Sequence, residues 1–204
     1  MGRTQRIVTT VLWGVLVVAM IAVVGTWARW REQSKLPVLY EVTHFALVDQ
    51  SGQPFGSAQL RGHPWVAALI FTNCPGACPM MTAKMAALQK AVPSSNIKLV
   101  SFTVDPKRDT PKVLKEYATR FNADGSRWHF LTGSQEDISQ AAIGLKLTAI
   151  PAGKETSIEH SEKFLLIDEQ LRVRGIYDNK DEEDVKQLEI DARSLAGEFR
   201  GGAS

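Results

Sequence analysis

The chain of 204 residues has only two cysteines, Cys74 and Cys78, which stand four positions apart in the stretch FTNCPGACPM. A structural disulfide between them would close a very short loop and would contribute little to stability. The sequence also lacks internal repeats and low-complexity stretches. Its 44% hydrophobic and 23% charged residues are typical of a globular protein. Disordered and fibrous classes are therefore excluded, and a purely structural role for the cysteine pair is disfavoured.

The body of the chain also lacks an excess of basic charge. Residues 36–204 carry 19 basic and 21 acidic side chains, so the net charge of +2 for the whole chain comes from its first 35 residues. Nucleic-acid-binding domains usually present a basic patch or stripe. We therefore expect no nucleic-acid partner.

Charged side chains are absent from residues 7–27, IVTTVLWGVLVVAMIAVVGTW. About 20 apolar residues span a bilayer as a helix, whereas the apolar region of a cleaved signal peptide is shorter, at roughly 7–15 residues. The sequence therefore predicts one uncleaved N-terminal transmembrane helix and an integral membrane protein. Basic residues flank both ends of the run, so their distribution does not orient the helix.

The predicted organisation has three parts: a transmembrane anchor over residues 1–28, a polar tether over 29–40, and a single domain over 41–204. Strand and helix signals alternate through that domain. Strands are predicted at 45–49, 65–71, 96–104 and 129–132, with a hairpin formed by 164–168 and 173–177. Helices are predicted at 76–91, from Thr110 to about Phe121, after Ser134, and at 181–197. This order predicts an α/β fold with a central mixed sheet.

Cys74 follows a predicted buried strand and precedes a predicted helix, with Pro75 at an early helical position. The carboxyl ends of strands in open α/β sheets are where such folds bind ligands. A thiolate at a helix start is stabilised by the helix dipole and by unpaired N–H groups, so we expect a lowered pKa. Three interpretations compete: an inert or disulfide-bonded pair, a redox pair similar to the C-x-x-C of thioredoxin, and part of a metal site. The spacing alone does not separate the last two.

Three motifs in order narrow the choice. They are F-T-N-C-P-G-A-C-P-M-M-T after the strand at 65–71, S-F-T-V-D-P-K-R-D-T-P at 101–111, and E-H-S-E-K-F-L-L-I-D at 159–168. Together they resemble the Sco/SenC family of copper proteins, whose patterns include T-x-C-P-x-x-C-P and V-D-P-x-R-D-T-P. The resemblance covers nearly all of residues 40–195. The chain departs from the family at Ser157-Ile-Glu-His160, where Val-Asp-His is common.

The resemblance implies a thioredoxin-like domain held by one transmembrane helix, with a mononuclear copper site formed by Cys74, Cys78 and His160. Ligand chemistry agrees, because thiolates suit Cu(I) and an imidazole extends the site to Cu(II). The same three ligands would also suit zinc, with water in a fourth position. The resemblance, rather than the ligand set, favours copper.

Other side chains near the motifs are weaker candidates. Asp105 ends a predicted strand whose neighbour ends near Cys74, so it could lie beside the metal and support its ligands. Asp109 is expected in a turn and helix cap. The methionines close to the cysteines are expected to pack in the core rather than to bind copper, and no site role is assigned to the remaining histidines. These residues are Met80, Met81, Met85, His44, His63 and His129.

The function that the resemblance implies is that of a metallochaperone that delivers copper to the dinuclear centre of a cytochrome c oxidase. Its partners would be the copper-bearing subunit of the oxidase and a protein that donates copper. The alternative is a thiol-disulfide reductase that keeps the oxidase cysteines reduced through Cys74 and Cys78, so enzymatic activity is left open. Such a pair can alternate between dithiol and disulfide on the oxidising side of a membrane. We therefore expect the domain on the periplasmic side of a bacterial cytoplasmic membrane.

Overall fold

The computed structural model describes residues 2, 12–14, 16–20, 36–92, 96–147, 149–151 and 158–197. The chain divides into two units, Met1–Leu36 and Pro37–Ser204. In the first unit, the described stretches 12–14 and 16–20 are helical and their side chains are exposed. Most of the predicted anchor at 7–27 lies outside the described residues. Within the described parts of the chain, no helix is both long and apolar enough to cross a membrane.

The second unit is built on a mixed sheet, as the alternation of strand and helix signals predicts. Its strands are β1 (Tyr40–Glu41), β2 (Ala46–Asp49), β3 (Pro54–Gly56), β4 (Trp65–Ile70), β5 (Lys98–Thr103), β6 (Trp128–Thr132), β9 (Lys163–Ile167) and β10 (Arg172–Asp178), with β7 (Ala149–Pro151) and β8 (Ile158–His160) forming a separate pair. The order across the sheet is β1-β10-β9-β4-β5-β6-β2-β3. Strands β4, β5 and β6 are parallel, and the remaining pairings are antiparallel. The sequence did not predict β1, β3, β7 and β8, because strands of two or three residues are too short to show a periodic pattern.

Four of the five helices in the described part of this unit were predicted, whereas the four-residue helix Ser57–Leu60 was not. The five helices are α1 (Ser57–Leu60), α2 (Ala77–Ala91), α3 (Pro111–Arg120), α4 (Gln135–Gly144) and α5 (Glu182–Leu195). The Thr110 side chain accepts a hydrogen bond from the backbone N–H of Val113, and that of Ser134 accepts one from Asp137. Helix α2 begins after Gly76, so Pro75 precedes the helix instead of occupying its first turn.

The centre of the sheet is buried on both faces, as its continuous apolar runs predict. Every residue of β4 is buried, and the Trp65 ring lies in an aromatic cluster with Phe45 and Phe102. On β6, Trp128 stacks on Phe130 and donates a hydrogen bond to the Ser101 hydroxyl at 3.0 Å. This packing holds the central strands rigidly under the segments that follow them.

The parallel pairing of β4 and β5 determines where the two chemical motifs meet. Ile70 at the end of β4 is paired with Thr103 at the end of β5, and the backbone N–H of Val104 donates to Ile70 O at 2.9 Å. The segment that carries Cys74 and the segment that carries the D-P-K-R-D-T-P motif therefore leave the same edge of the sheet side by side.

Candidate metal centre

The two cysteines come together at the carboxyl end of β4. Cys74 lies in the segment between β4 and α2, is half-buried, and donates its backbone N–H to Phe71 O at 3.3 Å. Cys78 is the second residue of α2 and is fully buried. Its Sγ accepts a hydrogen bond from the Phe71 N–H at 3.4 Å, and Cys74 lies near enough to raise the pKa of the Cys78 thiol. Both side chains are thiols rather than a disulfide, so two sulfur donors are placed together, one of them accessible.

The pKa of Cys78 does not follow the sequence prediction. Burial raises the pKa of this thiol far above its ordinary value, and the neighbouring Cys74 and the Asp109 carboxylate raise it further, whereas the hydrogen bond from Phe71 lowers it. The predicted lowering of the pKa is therefore wrong for Cys78. The second position of the helix faces the core rather than solvent, and the loss of hydration outweighs the stabilisation offered by the helix N-terminus.

Asp109 is the carboxylate that supports the cysteine segment. Its side chain is fully buried and accepts hydrogen bonds from the Thr72 N–H at 3.0 Å, the Thr72 hydroxyl at 2.5 Å and the Thr103 hydroxyl at 2.5 Å. It therefore ties the residues just before Cys74 to the end of β5. The sequence position of Asp109 predicts a turn and helix cap, but Thr110 caps the helix. The signal for its true role is present in the sequence as Thr72, two residues before Cys74, but that signal cannot be interpreted without the sheet register.

Asp105 makes different contacts. Its carboxylate forms an ion pair with Arg108 at 2.9 Å, and its backbone N–H donates to the Thr103 hydroxyl at 3.0 Å. The hydroxyl of Thr103 thus connects Asp105 to Asp109, and Asp109 in turn contacts the cysteine segment. A role for Asp105 beside a metal stays a prediction.

Thr82, on the same helix as Cys78, makes a second polar contact with it. The Thr82 hydroxyl donates to the Cys78 carbonyl at 2.8 Å and is 3.0 Å from the Tyr117 hydroxyl of α3. Burial raises the pKa of Tyr117 to about 12, so its hydroxyl is neutral near pH 7. This network joins α2 to α3 next to Cys78. It could not be predicted from the sequence, since Thr82 and Tyr117 are 35 positions apart.

The methionines near the cysteines divide into two kinds. Met81 and Met85 are 0% and 1% exposed, in agreement with their predicted role in packing. Met80 is 59% exposed, on the same first turn as Cys78. The expectation of core packing is therefore wrong for Met80, because its side chain faces solvent.

His160 ends β8, which pairs with β7 so that His160 stands opposite Ala149. The structure places the backbone of His160, whereas its side chain lies outside the described part, so its role as a ligand stays a prediction. The other histidines have contacts elsewhere: His44 with Ser57 at 2.7 Å, His63 with Asn96 at 3.3 Å, and His129 stacked on Phe55. Across the described side chains, no three His, Cys, Asp or Glu residues are grouped as a metal site. The two thiols are soft donors that fit a copper ion, but they need a further ligand to complete a three-coordinate site.

Comparisons with known proteins place this arrangement in a family. The SCO1/SenC family model matches residues 35–194. A relative from Bacillus subtilis (strain 168), named SCO1 protein homolog, is 35% identical over 169 residues, which are 81% of this chain and 88% of the relative.

Two solved structures share the fold. BsSco, described as a member of the Sco family of cytochrome c oxidase assembly proteins with a disulfide switch, is 32% identical, with a TM-score of 0.70 over 79% of this chain and 98% of BsSco. Arabidopsis thaliana ScoI, crystallised with copper bound, is 25% identical, with a TM-score of 0.65 over 78% of this chain and 98% of ScoI. These likenesses confirm the predicted thioredoxin-like fold with its mixed sheet. The chain belongs to the SCO1/SenC family.

Proposed function

We propose that this protein binds copper through Cys74, Cys78 and His160 and delivers it to the dinuclear copper centre of a cytochrome c oxidase during assembly. The observation that carries the proposal is the placement of two neighbouring thiols at the carboxyl end of β4, in a family whose members include a copper-bound protein and an oxidase assembly protein. Two thiolates hold Cu(I), and an imidazole extends the site to Cu(II). His160 is the ligand that the family resemblance adds to the pair.

The described residues support a transfer of copper by ligand exchange. Cys74 is half-buried and stands in a segment whose exposed neighbours Asn73, Pro75 and Gly76 carry no charge, so a partner's thiol can approach it. Cys78 is buried, and it accepts hydrogen bonds from the Phe71 N–H and the Thr82 hydroxyl. In this scheme, copper first gains a partner ligand on the Cys74 side, and Cys78 is the last donor to release it.

The second candidate is a thiol-disulfide reductase that acts on the cysteines of the oxidase. It is favoured by the proximity of the two thiols and by the disulfide switch described for BsSco. Cys74 would attack the partner disulfide as a thiolate, and Cys78 would then displace the reduced partner thiol. The result would be a Cys74–Cys78 disulfide and a partner dithiol.

Replacement of single ligands in the native host separates the two functions. Both functions need both thiols, so Cys74→Ser and Cys78→Ser should each abolish oxidase assembly. Copper delivery also needs the imidazole, so His160→Ala should remove most oxidase copper while the purified variant still reduces a model disulfide. Oxidase assembly that survives His160→Ala but not the cysteine changes would overturn the delivery function and favour the reductase. Added copper is a control, because it should partly restore a failed delivery but not a failed reduction.

We further propose that the uncharged run at 7–27 anchors the protein in a bacterial cytoplasmic membrane, with the domain on the periplasmic face. The run has the length of a bilayer-spanning helix. A cysteine pair that alternates between dithiol and disulfide requires a compartment outside the reducing cytosol. Washing membranes with alkaline carbonate should leave the full-length protein in the pellet, whereas a variant without residues 1–35 should be released. Release of the full-length protein, or a mature N-terminus near Arg29, would contradict the anchor.

A further inference from the structure

The segment that follows His160 is held in place by a backbone hydrogen bond. Glu162 lies two residues after His160, and its carbonyl oxygen accepts a hydrogen bond from the Asn179 N–H at 3.0 Å. Asn179 is only 2% exposed and directly follows β10. The peptide groups of Asn179 therefore determine where the segment between β8 and β9 lies.

Lys84 connects the same residue to the helix that carries Cys78. It lies six positions after Cys78 on α2, and its Nζ donates to the Asn179 carbonyl oxygen at 2.5 Å. Asn179 thus bonds on both sides, through its N–H to Glu162 and through its C=O to Lys84. The Lys84–Asn179–Glu162 link joins two segments that are far apart in sequence, one with Cys78 and one with His160.

Two ion pairs with exposed lysines lie next to this link. Lys163 pairs with Asp178 at 2.6 Å, and Lys180 pairs with Glu162 at 3.3 Å. The side chains of Lys163 and Lys180 are 42% and 73% exposed, so solvent weakens both pairs. Lys84 is half-buried and contacts a buried peptide, so its hydrogen bond is the less screened of these contacts.

We propose that Lys84 is a positioning residue, which through Asn179 and Glu162 holds the strand end with His160 at a fixed place relative to Cys78 and so sets the Cu(II) affinity of the site. The inference rests on the ligand set of the proposed function. Two thiolates from one short segment need no such link to hold Cu(I), whereas a nitrogen ligand from another part of the chain must be brought to them. Residues that orient metal ligands typically change metal affinity by about 10- to 100-fold when they are replaced.

The test compares Lys84→Met with Lys90→Met in the full-length protein. Methionine keeps an unbranched apolar side chain but removes the ammonium donor, and Lys90 is an exposed lysine on the same helix. In the copper-free protein, Lys84→Met should speed hydrogen exchange in residues 158–163, with α3 and β5 as internal references. It should raise the Cu(II) dissociation constant about tenfold or more and leave that of Cu(I) within about threefold. Lys90→Met should change none of these, and Lys84→Arg, which keeps a cationic donor, should restore most of the Cu(II) affinity.

Several results would overturn the inference. Unchanged exchange in residues 158–163 would remove the link, and faster exchange with unchanged Cu(II) affinity would remove its effect on the site. Equal weakening of both oxidation states would make Lys84 a general support of the fold. His160→Ala, measured in parallel, separates this failure from that of the proposed function: if it leaves Cu(II) binding unchanged, the ligand set itself is wrong and the inference fails with it. If His160→Ala weakens Cu(II) binding and Lys84→Met does not, the inference alone is wrong.

Discussion

Asp109 accepts two hydrogen bonds from Thr72, one from its backbone N–H at 3.0 Å and one from its hydroxyl at 2.5 Å. Thr72 stands two residues before Cys74, and Asp109 comes from the segment after the neighbouring strand β5. Since the carboxylate is fully buried, its hydrogen bonds replace the water that it loses on folding. The position of the cysteine segment therefore depends on a carboxylate that lies outside the cysteine motif.

We expect Asp109→Asn to destabilise the protein by about 1–3 kcal/mol, because a buried amide group would face donors that now have an acceptor. The free energy of unfolding, measured by urea denaturation, checks this. Asp105→Asn is the matched control, since Asp105 pairs with Arg108, whose side chain is 72% exposed, and should cost less than about 1 kcal/mol. Equal losses in the two variants would show that Asp109 has no special place in the fold.

The two thiols should react at different rates with an alkylating reagent. Cys74 is half-buried, whereas Cys78 is fully buried and burial raises its pKa, which reduces its thiolate fraction at neutral pH. In reduced, metal-free protein, Cys74 should be modified by iodoacetamide at least roughly tenfold faster than Cys78. Peptide mass spectrometry after short labelling measures both sites. The variants Cys74→Ser and Cys78→Ser give each rate alone, and faster labelling of Cys78 would contradict the burial of its thiol.

Replacement of His160 should affect the two copper oxidation states unequally. His160→Ala should weaken Cu(II) binding by at least about tenfold and Cu(I) binding much less, because Cu(I) accepts two thiolates alone while Cu(II) prefers an added nitrogen ligand. Titration against competing chelators gives both affinities. His63→Ala is the control, since His63 contacts Asn96 away from the cysteines. An equal loss for both oxidation states, or no loss, would remove His160 from the site.

Stability should fall in mild acid because of His129. Burial lowers the pKa of His129, and Lys98 adds to this, while Asp49 opposes it; the His129 Nδ1 lies 3.9 Å from the Asp49 carboxylate, too far for a hydrogen bond. The folded state therefore holds a neutral imidazole at a pH where the unfolded chain, with an ordinary pKa of about 6.5, already binds a proton. The contribution of His129 is complete above that unfolded value and is lost as the pH falls through and below it.

We expect His129→Phe to reduce the fall in unfolding free energy between pH 7 and pH 5, since phenylalanine keeps the stacking on Phe55 and cannot bind a proton. Urea denaturation at several pH values measures the slope. An unchanged slope would show that the pKa of His129 does not differ between the folded and unfolded states enough to affect stability in this range.

Much of the fold could be predicted because its signals are local. The apolar run at 65–71 predicts the buried strand β4, and Thr110 and Ser134 mark the starts of α3 and α4. The three motifs, at 71–82, 101–111 and 159–168, were enough for the family resemblance, which the match of the family model over residues 35–194 confirms. Each of these signals lies within a short stretch of sequence.

The supports of the site could not be predicted, because they depend on which distant segments meet. Asp105 and Asp109 follow the same strand, and only the turn after β5 directs Asp109 rather than Asp105 to Thr72. The predicted lowering of the Cys78 pKa failed because sequence position at a helix start does not reveal that the thiol is buried.

The sequence by itself determined the alternation of strands and helices, the two sulfur donors and the family, because periodicity, caps and motifs act over a few residues. Only the tertiary structure decided that Asp109 holds the cysteine segment, that Cys78 is buried, and that Lys84 bonds to Asn179, 95 positions away. The physical reason is that hydration and hydrogen bonding depend on the side chains packed around a group. In this fold, the sheet brings those side chains together from distant parts of the chain.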